Sequence, residues 1–388
     1  MLKPLYFYCV VLGLLSAACT SATPPVTPSP TTLPTLTATY APTATALPSP
    51  TPPLPSATPL PPSATPPPEI TLLFTGDINP GRCVYQTVKQ ANDMALPYRP
   101  LAEMLQSADI LVGSLDGTLS DYNPPVPCME TRNLMGPTEM VQGFQFAGFD
   151  AITLATNHSK DCGLVRGCVN DSFFDTLTTL QTAGIQPIGA GRNITEALTP
   201  TIITVRGVRF AFLGFSAIDR TLWATDTDPG TGPFDKAVYV DAIRRATEQA
   251  DVVIPLIHWG TEYTLTINYE QRDGAQLMVD AGATLIIGNH PHHVQGVETF
   301  PNGAVAAYAL GNFVFDQEWS DGRQFPIQGL LLKATFVGKT LTKVEPIPIH
   351  IYDNFQPRLA ELDEATLILA DVAKSLAKMP KRRPTPSP

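Results

Sequence analysis

Several common chemistries are missing from this chain. It has no Walker or dinucleotide-binding glycine loop, no serine on a nucleophile-elbow pattern and no Cys-x-x-Cys. The first absence removes phosphate cradling by a P-loop or Rossmann turn. The second removes a Ser-His-Asp hydrolase of strand-to-helix form, and the third a thiolate zinc site. Histidine is scarce, six in 388 residues, so the place of each one carries weight. The 25 basic residues are outnumbered by 35 acidic ones, and the formal charge of −10 argues against nucleic acid as a partner. Between Thr20 and Pro68 there is no charged residue at all, and no internal repeat occurs anywhere.

What stands in that uncharged stretch is almost wholly Pro, Thr, Ser, Ala and Leu. Such a composition cannot bury a core, and its prolines favour extended polyproline II. At about 3.1 Å per residue it reaches on the order of 150 Å as an upper bound, so residues 20–68 are expected to be a disordered tether. Before it, Lys3 and an apolar run from Leu5 to Ala18 have the form of a secretory signal, too short for a comfortable membrane span. Leu15-Ser16-Ala17-Ala18-Cys19 has the pattern of a bacterial lipobox, which makes Cys19 a lipidation site. The competing reading is ordinary signal cleavage with Cys19 incidental. The expected organisation is a signal with lipobox over 1–19, the tether, a folded body over 69–357, and a C-terminal helix with a basic, proline-rich tail over 358–388. The expected place is extracytoplasmic, tied to the cell membrane by lipid.

Four cysteines remain in the body, Cys83, Cys128, Cys162 and Cys168. Outside the cytoplasm an even count suggests disulfides. Cys162 and Cys168 are close enough for a small loop, which leaves Cys83 with Cys128.

Strand-like and helix-like runs alternate through the body. Glu69 to Phe74 leads to Thr75-Gly76-Asp77, Ile110 to Leu115 to Asp116, and Ala151 to Ala155 to Asn157-His158. Thr201 to Val205 and Val208 to Phe215 read as a hairpin turning at Arg206-Gly207. Val252 to Ile257 ends in His258, and Ala283 to Ile287 in Gly288-Asn289-His290-Pro291-His292-His293. Helices are expected over 101–108, 171–183, 235–250, 269–281 and 361–378, and a closing antiparallel pair over 330–336 and 341–351. The glycines of Gln186 to Gly191 suit a turn against the site. This order suggests an α/β sandwich with mixed sheets.

Five histidines therefore stand at the ends of strand-like runs: His158, His258, His290, His292 and His293. In extended backbone His290 and His292 share a face, so both can meet one ion or a close pair. Asp77, Asp116, Asn157, His258, His290 and His292 together offer carboxylate, carboxamide and imidazole, the donors used for Zn, Mn or Fe, often as two ions sharing a carboxylate. An uncoordinated histidine beside them can protonate a leaving group.

Taken together, Thr75-Gly76-Asp77, Ser114-Leu115-Asp116-Gly117, Thr156-Asn157-His158 through Cys162-Gly163, His258-Trp259-Gly260-Thr261-Glu262-Tyr263, Gly288-Asn289-His290-Pro291-His292 and Tyr308-Ala309-Leu310-Gly311-Asn312-Phe313 resemble the bacterial capsule synthesis protein CapA family, a relative of the calcineurin-like metallophosphoesterases. The resemblance covers residues 70 to 316. It implies a four-layer αββα sandwich with the site at one edge of the paired sheets. It further implies Asp77 as first-motif ligand and Asp116 as bridging carboxylate. Asn157, His258 and His290 would hold one of two divalent ions, or a single one, His292 would help hold the other, and His158 would be the general acid. Two departures stand out. Asn79 occupies the histidine position of the Asp-x-His first motif, and Ser114-Leu115-Asp116 stands where Asn-Leu-Glu is usual. The activity implied is a metal-dependent hydrolase or transferase in making or anchoring poly-γ-glutamate or a related polymer. Its partners would be that acidic polymer or its precursor, the membrane, and capsule synthesis membrane proteins. The alternative is a non-catalytic polymer-binding or scaffold module that keeps a residual metal-site fold.

Overall fold

Along the strand Glu69–Ile78, side chains alternate between two apolar clusters. Ile70, Leu72 and Phe74 enter one, Leu73 and Ile78 the other. Ile110–Leu115 repeats the division, with Ile110 and Val112 on one side and Leu111 and Leu115 on the other. Period-two alternation with both faces apolar marks strands that are covered on both sides. In this computed structural model the described residues are 68–122, 128, 132–163, 168–317 and 327–381. The signal segment, Cys19, tether residues 20–67, Pro124, Pro125, Pro127 and the tail from residue 382 lie outside them.

Glu69–Ile78 is central in an eight-stranded mixed sheet. On one side it pairs in parallel with Ile110–Leu115, followed by Ala151–Thr153 and Gln186–Ile188. On the other it meets Gln328–Val337 antiparallel, then Thr340–Tyr352 and Gln356–Leu359. The short strand Asn312–Val314 also pairs with it, in parallel, beside Asp77. A second, six-stranded sheet runs in the order Val297–Thr299, Val305–Ala307, Leu285–Asn289, Val252–His258, Val208–Ser216, Thr201–Val205. Phe74 and Val112 from the first sheet meet Phe210, Phe212, Ile254 and Ile287 from the second in one buried layer.

Helices close the outer faces. Phe144 of Val141–Ala147 and Phe173 of Val169–Thr182 cover Leu73 and Leu111 of the first sheet. Ile243 of Lys236–Gln249 and Met278 of Tyr269–Ala281 cover Leu213, Ile257 and Ile286 of the second. The molecule is thus the four-layer αββα sandwich that the motifs implied. Two of the long helices start where side-chain oxygens can hold free backbone amides: Asp235 accepts from Ala237 N, and Asn268 and Gln271 form a reciprocal capping box. The hairpin turns at Arg206 (φ 48°) and Gly207 (φ 82°), the left-handed pair that matches strand twist.

Some features differ from the sequence expectation. Helices Arg82–Gln90 and Val141–Ala147 were not anticipated, being short and without a capping side chain. Gly189 does not turn against the site. At φ 69° it lies so near the second sheet that an added Cβ would come within 2.3 Å of Gly214 Cα, so it sets the approach of the two sheets. The C-terminal helix Leu362–Ala377 belongs to the sandwich, since Ile368 and Val372 join the inter-sheet layer. Its Ser375 Oγ donates to Leu265 O (2.6 Å) and accepts from Gly296 N (3.0 Å). No helix among the described residues is long and apolar enough to cross a membrane.

Gly189→Ala combines left-handed strain with a steric clash and is expected to destabilise by about 2–4 kcal/mol. Gly184 has φ 82° and open space at its Cβ position, so Gly184→Ala should cost only the strain, about 1–2 kcal/mol. Urea midpoints of the two variants check the difference, and equal losses would remove the close-approach argument.

Candidate metal centre

The polar side chains at issue gather where strands of both sheets end. Asp77 lies near the end of the first strand, in register with Ser114 on one side and Asn312 on the other. Ser114 Oγ donates to its Oδ1 (2.8 Å), and the amide of His290, from the other sheet, donates to its Oδ2 (3.1 Å). Asp116 follows Ile110–Leu115, Asn157 and His158 follow Ala151–Thr153, and His258 ends Val252–His258. His290 and His292 follow Leu285–Asn289. Strand ends are where α/β folds leave side chains free of the ladder and aimed into a crevice.

His290 and His292 reach this place by a different route from the one expected. Their backbone is not extended. It is left-handed at both residues, φ 94° and 50°, because the chain reverses as it leaves the strand. Pro291 O accepts from Tyr263 N (2.8 Å), pinning the reversal. Just before it, Gly288 lies so close to Tyr308 that a Cβ would stand 2.0 Å from its carbonyl oxygen. Two non-glycine residues in this region cost of order 1–3 kcal/mol each, strain that is typical of functional sites.

The donors fall into two groups around Asp116. His258 Nε2 is 2.7 Å from Asn157 Oδ1, 3.2 Å from His290 Nδ1 and 3.7 Å from Asp116 Oδ1. On the other side His292 Nε2 is 3.9 Å from Asp116 Oδ2, and its Nδ1 is 3.8 Å from Asp77 Oδ2. One donor atom from each of Asp77, Asp116 and His292 lies within 4.8 Å of the others. All six side chains of the expected ligand set are therefore in one place.

Asp116 is fully buried, and neither of its oxygens has a hydrogen-bond donor among the described residues. An unsatisfied buried polar group costs about 1–3 kcal/mol, more when charged. The imidazoles of His258 and His290 offer Asp116 no positive charge. Burial, reinforced by His290 and His292, holds His258 well below the usual histidine range, and burial with the same kind of neighbour pushes His290 down to about 3. Burial, followed by the charge of Asp116, raises Asp77 above the usual carboxylate range. Two buried carboxylates beside imidazoles, all oxygen and nitrogen donors, are a set that a divalent cation satisfies. These residues fit such an ion.

His158 differs from its neighbours. Burial opposes its charge, but Asp116, then the contact to Asp161, overcome it and push its pKa up to about 9. Its Nδ1 is 2.8 Å from Asp161 Oδ2, which also accepts from Leu134 N (2.6 Å). His293 and His350 are elsewhere. His293 is buried, which pushes it down to about 4, and Asp371 and Lys374 of the C-terminal helix act on it. His350 Nδ1 meets Glu364 Oε1 at 2.6 Å.

Other contributors were silent in the sequence. Asn312 Oδ1 lies 2.8 Å from His292 Nδ1, and Tyr263 stacks on the same imidazole at 5.7 Å between ring centres. Asn79 is committed at both ends: its Oδ1 accepts from Gly81 N (2.9 Å) and its Nδ2 donates to Asp316 Oδ1 (2.7 Å). Asp316 also pairs with Arg82 and accepts from Cys83 N (2.9 Å). Cys83 is bonded to Cys128, and Cys162 to Cys168.

Two outcomes are expected. Adding Mn or Zn at about 100 times its Kd should stabilise the protein by about 2.7 kcal/mol. Asp116→Asn should abolish that gain while leaving the metal-free protein at least as stable, as thermal scans with and without ion would register. Acid should also weaken the metal-free protein. Below pH 6.5 the unfolded chain takes up protons that folded His258, His290 and His293 refuse. Stability present above that pH is then lost towards about pH 3, the folded value of His290. Asp77, with its raised pKa, acts in the opposite direction, so the imidazole share is isolated by His290→Gln, which should flatten urea midpoints against pH.

Residues 71–317 match the family described as bacterial capsule synthesis protein PGA_cap. The chain is 30% identical over 279 residues to the PGA biosynthesis protein CapA of Bacillus subtilis (strain 168), covering 71% of each chain. It is 32% identical over 259 residues to the capsule biosynthesis protein CapA of Bacillus anthracis, covering 65% of this chain and 61% of that one. Among solved structures, a phosphatase from Mycoplasma pneumoniae aligns with a TM-score of 0.45 at 14% identity, covering 75% of this chain and 95% of that one. With the family match spanning more than half of its length, the chain belongs to the bacterial capsule synthesis protein PGA_cap family.

Proposed function

We propose that this protein works at the cell surface in the synthesis or anchoring of poly-γ-glutamate or a related acidic capsular polymer, as a metal-dependent hydrolase or transferase. The names of its Bacillus relatives support the pathway. The observation that carries the chemistry is Asp116, a buried acid whose oxygens have no donor and which lies between two groups of nitrogen and oxygen ligands.

Asn157, His258 and His290, with Asp116 between, would hold one ion, and Asp77, Asp116 and His292 a second or the same one. Such an ion, Mn, Zn or Fe, supplies a Lewis acid for a phosphoryl or carbonyl oxygen and a water of lowered pKa. The chain's own residues do the rest. Asp161 holds a proton on His158 Nδ1, which leaves Nε2 to deliver one to the leaving group. Ser114 and Asn312 hold Asp77 and His292 in orientation, as outer partners do around metal ligands. Lipid at Cys19 and the tether of residues 20–68 would keep this site outside the cell, near an exported polymer.

A second reading rests on Asn79. With both ends of its carboxamide engaged, the histidine position of the first motif gives no ligand, which favours a scaffold that binds polymer without turning it over. His158→Ala separates the two. In the metal-loaded protein the enzyme reading expects turnover of a phosphodiester or γ-glutamyl amide to fall by about 10²–10⁴ with metal content unchanged. If cells carrying His158→Ala still make polymer while Cys19→Ser cells do not, the scaffold reading holds and the catalytic one is lost.

A further inference from the structure

The C-terminal helix Leu362–Ala377 buries one face and leaves the opposite one bare. Ile368, Val372 and Ser375 are buried, whereas Leu362, Thr366, Leu369, Ala370, Ala373 and Ala377 are exposed. At 3.6 residues per turn these six form a single stripe about 100° wide, with no charge in it. Leu362 and the adjacent Leu367, at 81% and 66% exposure, are the most exposed large apolar side chains among the described residues. Asp363, Lys374 and Lys378 lie along one border of the stripe. Acidic residues, Glu361 and Asp363, stand at its start and basic ones, Lys374, Lys378 and Lys381, at its end.

We propose that this face binds the same face of a second copy of the chain, with the two helices antiparallel about a two-fold axis between Leu369 and Ala370. An isologous contact must be self-complementary, and this stripe is so in both size and charge. The axis sets Leu362 against Ala377 of the other copy, Thr366 against its Ala373 and Leu369 against its Ala370, a larger side chain against a small one each time. In this geometry a border meets its own counterpart, which brings Asp363 within a helical turn of Lys374 and Lys378 across the interface, twice. A parallel pairing would stack acid on acid and base on base. A lipid surface fits less well, because Glu361 and Asp363 flank Leu362, where an anionic membrane calls for basic residues. One helix pair buries less than the roughly 1,200–2,000 Å² of a stable interface, so the dimer should be weak.

The test is sedimentation equilibrium of the full chain in detergent over about 1–100 μM, the range for a weak contact. The expected result is a concentration-dependent doubling of mass. Thr366→Glu with Ala373→Glu, both exposed positions, should give a monomer whose melting is little changed. Lys374→Glu with Lys378→Glu should weaken association at least roughly tenfold, through lost exposed ion pairs and the like-charge contacts that replace them, and adding Asp363→Lys, which reverses the whole set, should restore it. Three outcomes would overturn the proposal: a wild-type chain monomeric throughout, association untouched by the double glutamate variant, or a monomer that binds vesicles of phosphatidylglycerol and phosphatidylcholine through this stripe.

Discussion

The site turns on a buried acid, Asp116, to which no hydrogen-bond donor among the described residues points and whose charge helps keep His158 protonated. Asp116 stands at the meeting of two sheets, near a second carboxylate, the imidazole of His292, and those of His258 and His290, which burial holds below the usual histidine range. Buried charge is costly unless it is paired, and a divalent cation would pair with this set. Much of the surrounding construction follows from keeping donors pointed inward: a glycine at 288 that lets backbones close up, left-handed turns at His290 and His292, and an amide of one sheet bonded to the carboxylate of the other. The sandwich is rigid at that edge because both sheets have covered faces, so neither can slide without exposing the layer around Phe74 and Phe212.

Much of this was legible in the sequence, for physical reasons. Helices with a sustained apolar period and a capping residue, as at Asp235 and Asn268, were placed to within a residue or two, because propensity, cap and packing agree there. Strand-end acids and histidines were visible because scarce, chemically distinctive residues recur after apolar runs. The conformation at His290 was not legible. Two imidazoles around a proline look extended locally, and the reversal that makes φ positive is imposed from outside, by the amide contact to Asp77 and the contact of Pro291 with Tyr263. Asn312 was silent for a related reason. A carboxamide acquires its role only through the parallel register that sets its strand against Asp77, and register between segments so far apart in the chain leaves no local trace.

The corner around Asn79, where the resemblance would place a histidine, is built from hydrogen bonds and an ion pair. The shorter carboxamide does not reach towards the ion site. It closes a turn onto Gly81 and hands its amino group to Asp316, which in turn holds Arg82 and the amide of Cys83. Arg82 is itself left-handed at φ 50° and lies 5.9 Å from the centre of the Phe315 ring. The result is an ion-paired corner that ties the start of one helix to the segment after Asn312–Val314. Asp77, Asp116 and His292 are the three donors among the described residues grouped within 4.8 Å of one another, and Asn79 adds none to them.

The other departure, Asp116 where a longer acid is usual, has a backbone answer. Its amide donates to Ile78 O at 2.9 Å, and Leu115 is in register with Ile78. The chain at 116 is therefore fastened to the first strand one residue beyond Asp77, which holds Asp116 two residues past Ser114, the register partner of Asp77. From there a single methylene is enough: its oxygens come within 3.7 Å of His258 and 3.9 Å of His292, one from each donor group. The reach lost in the side chain is supplied by the register of the strands, and a lengthened acid at 116 would have to displace an imidazole that is already in place.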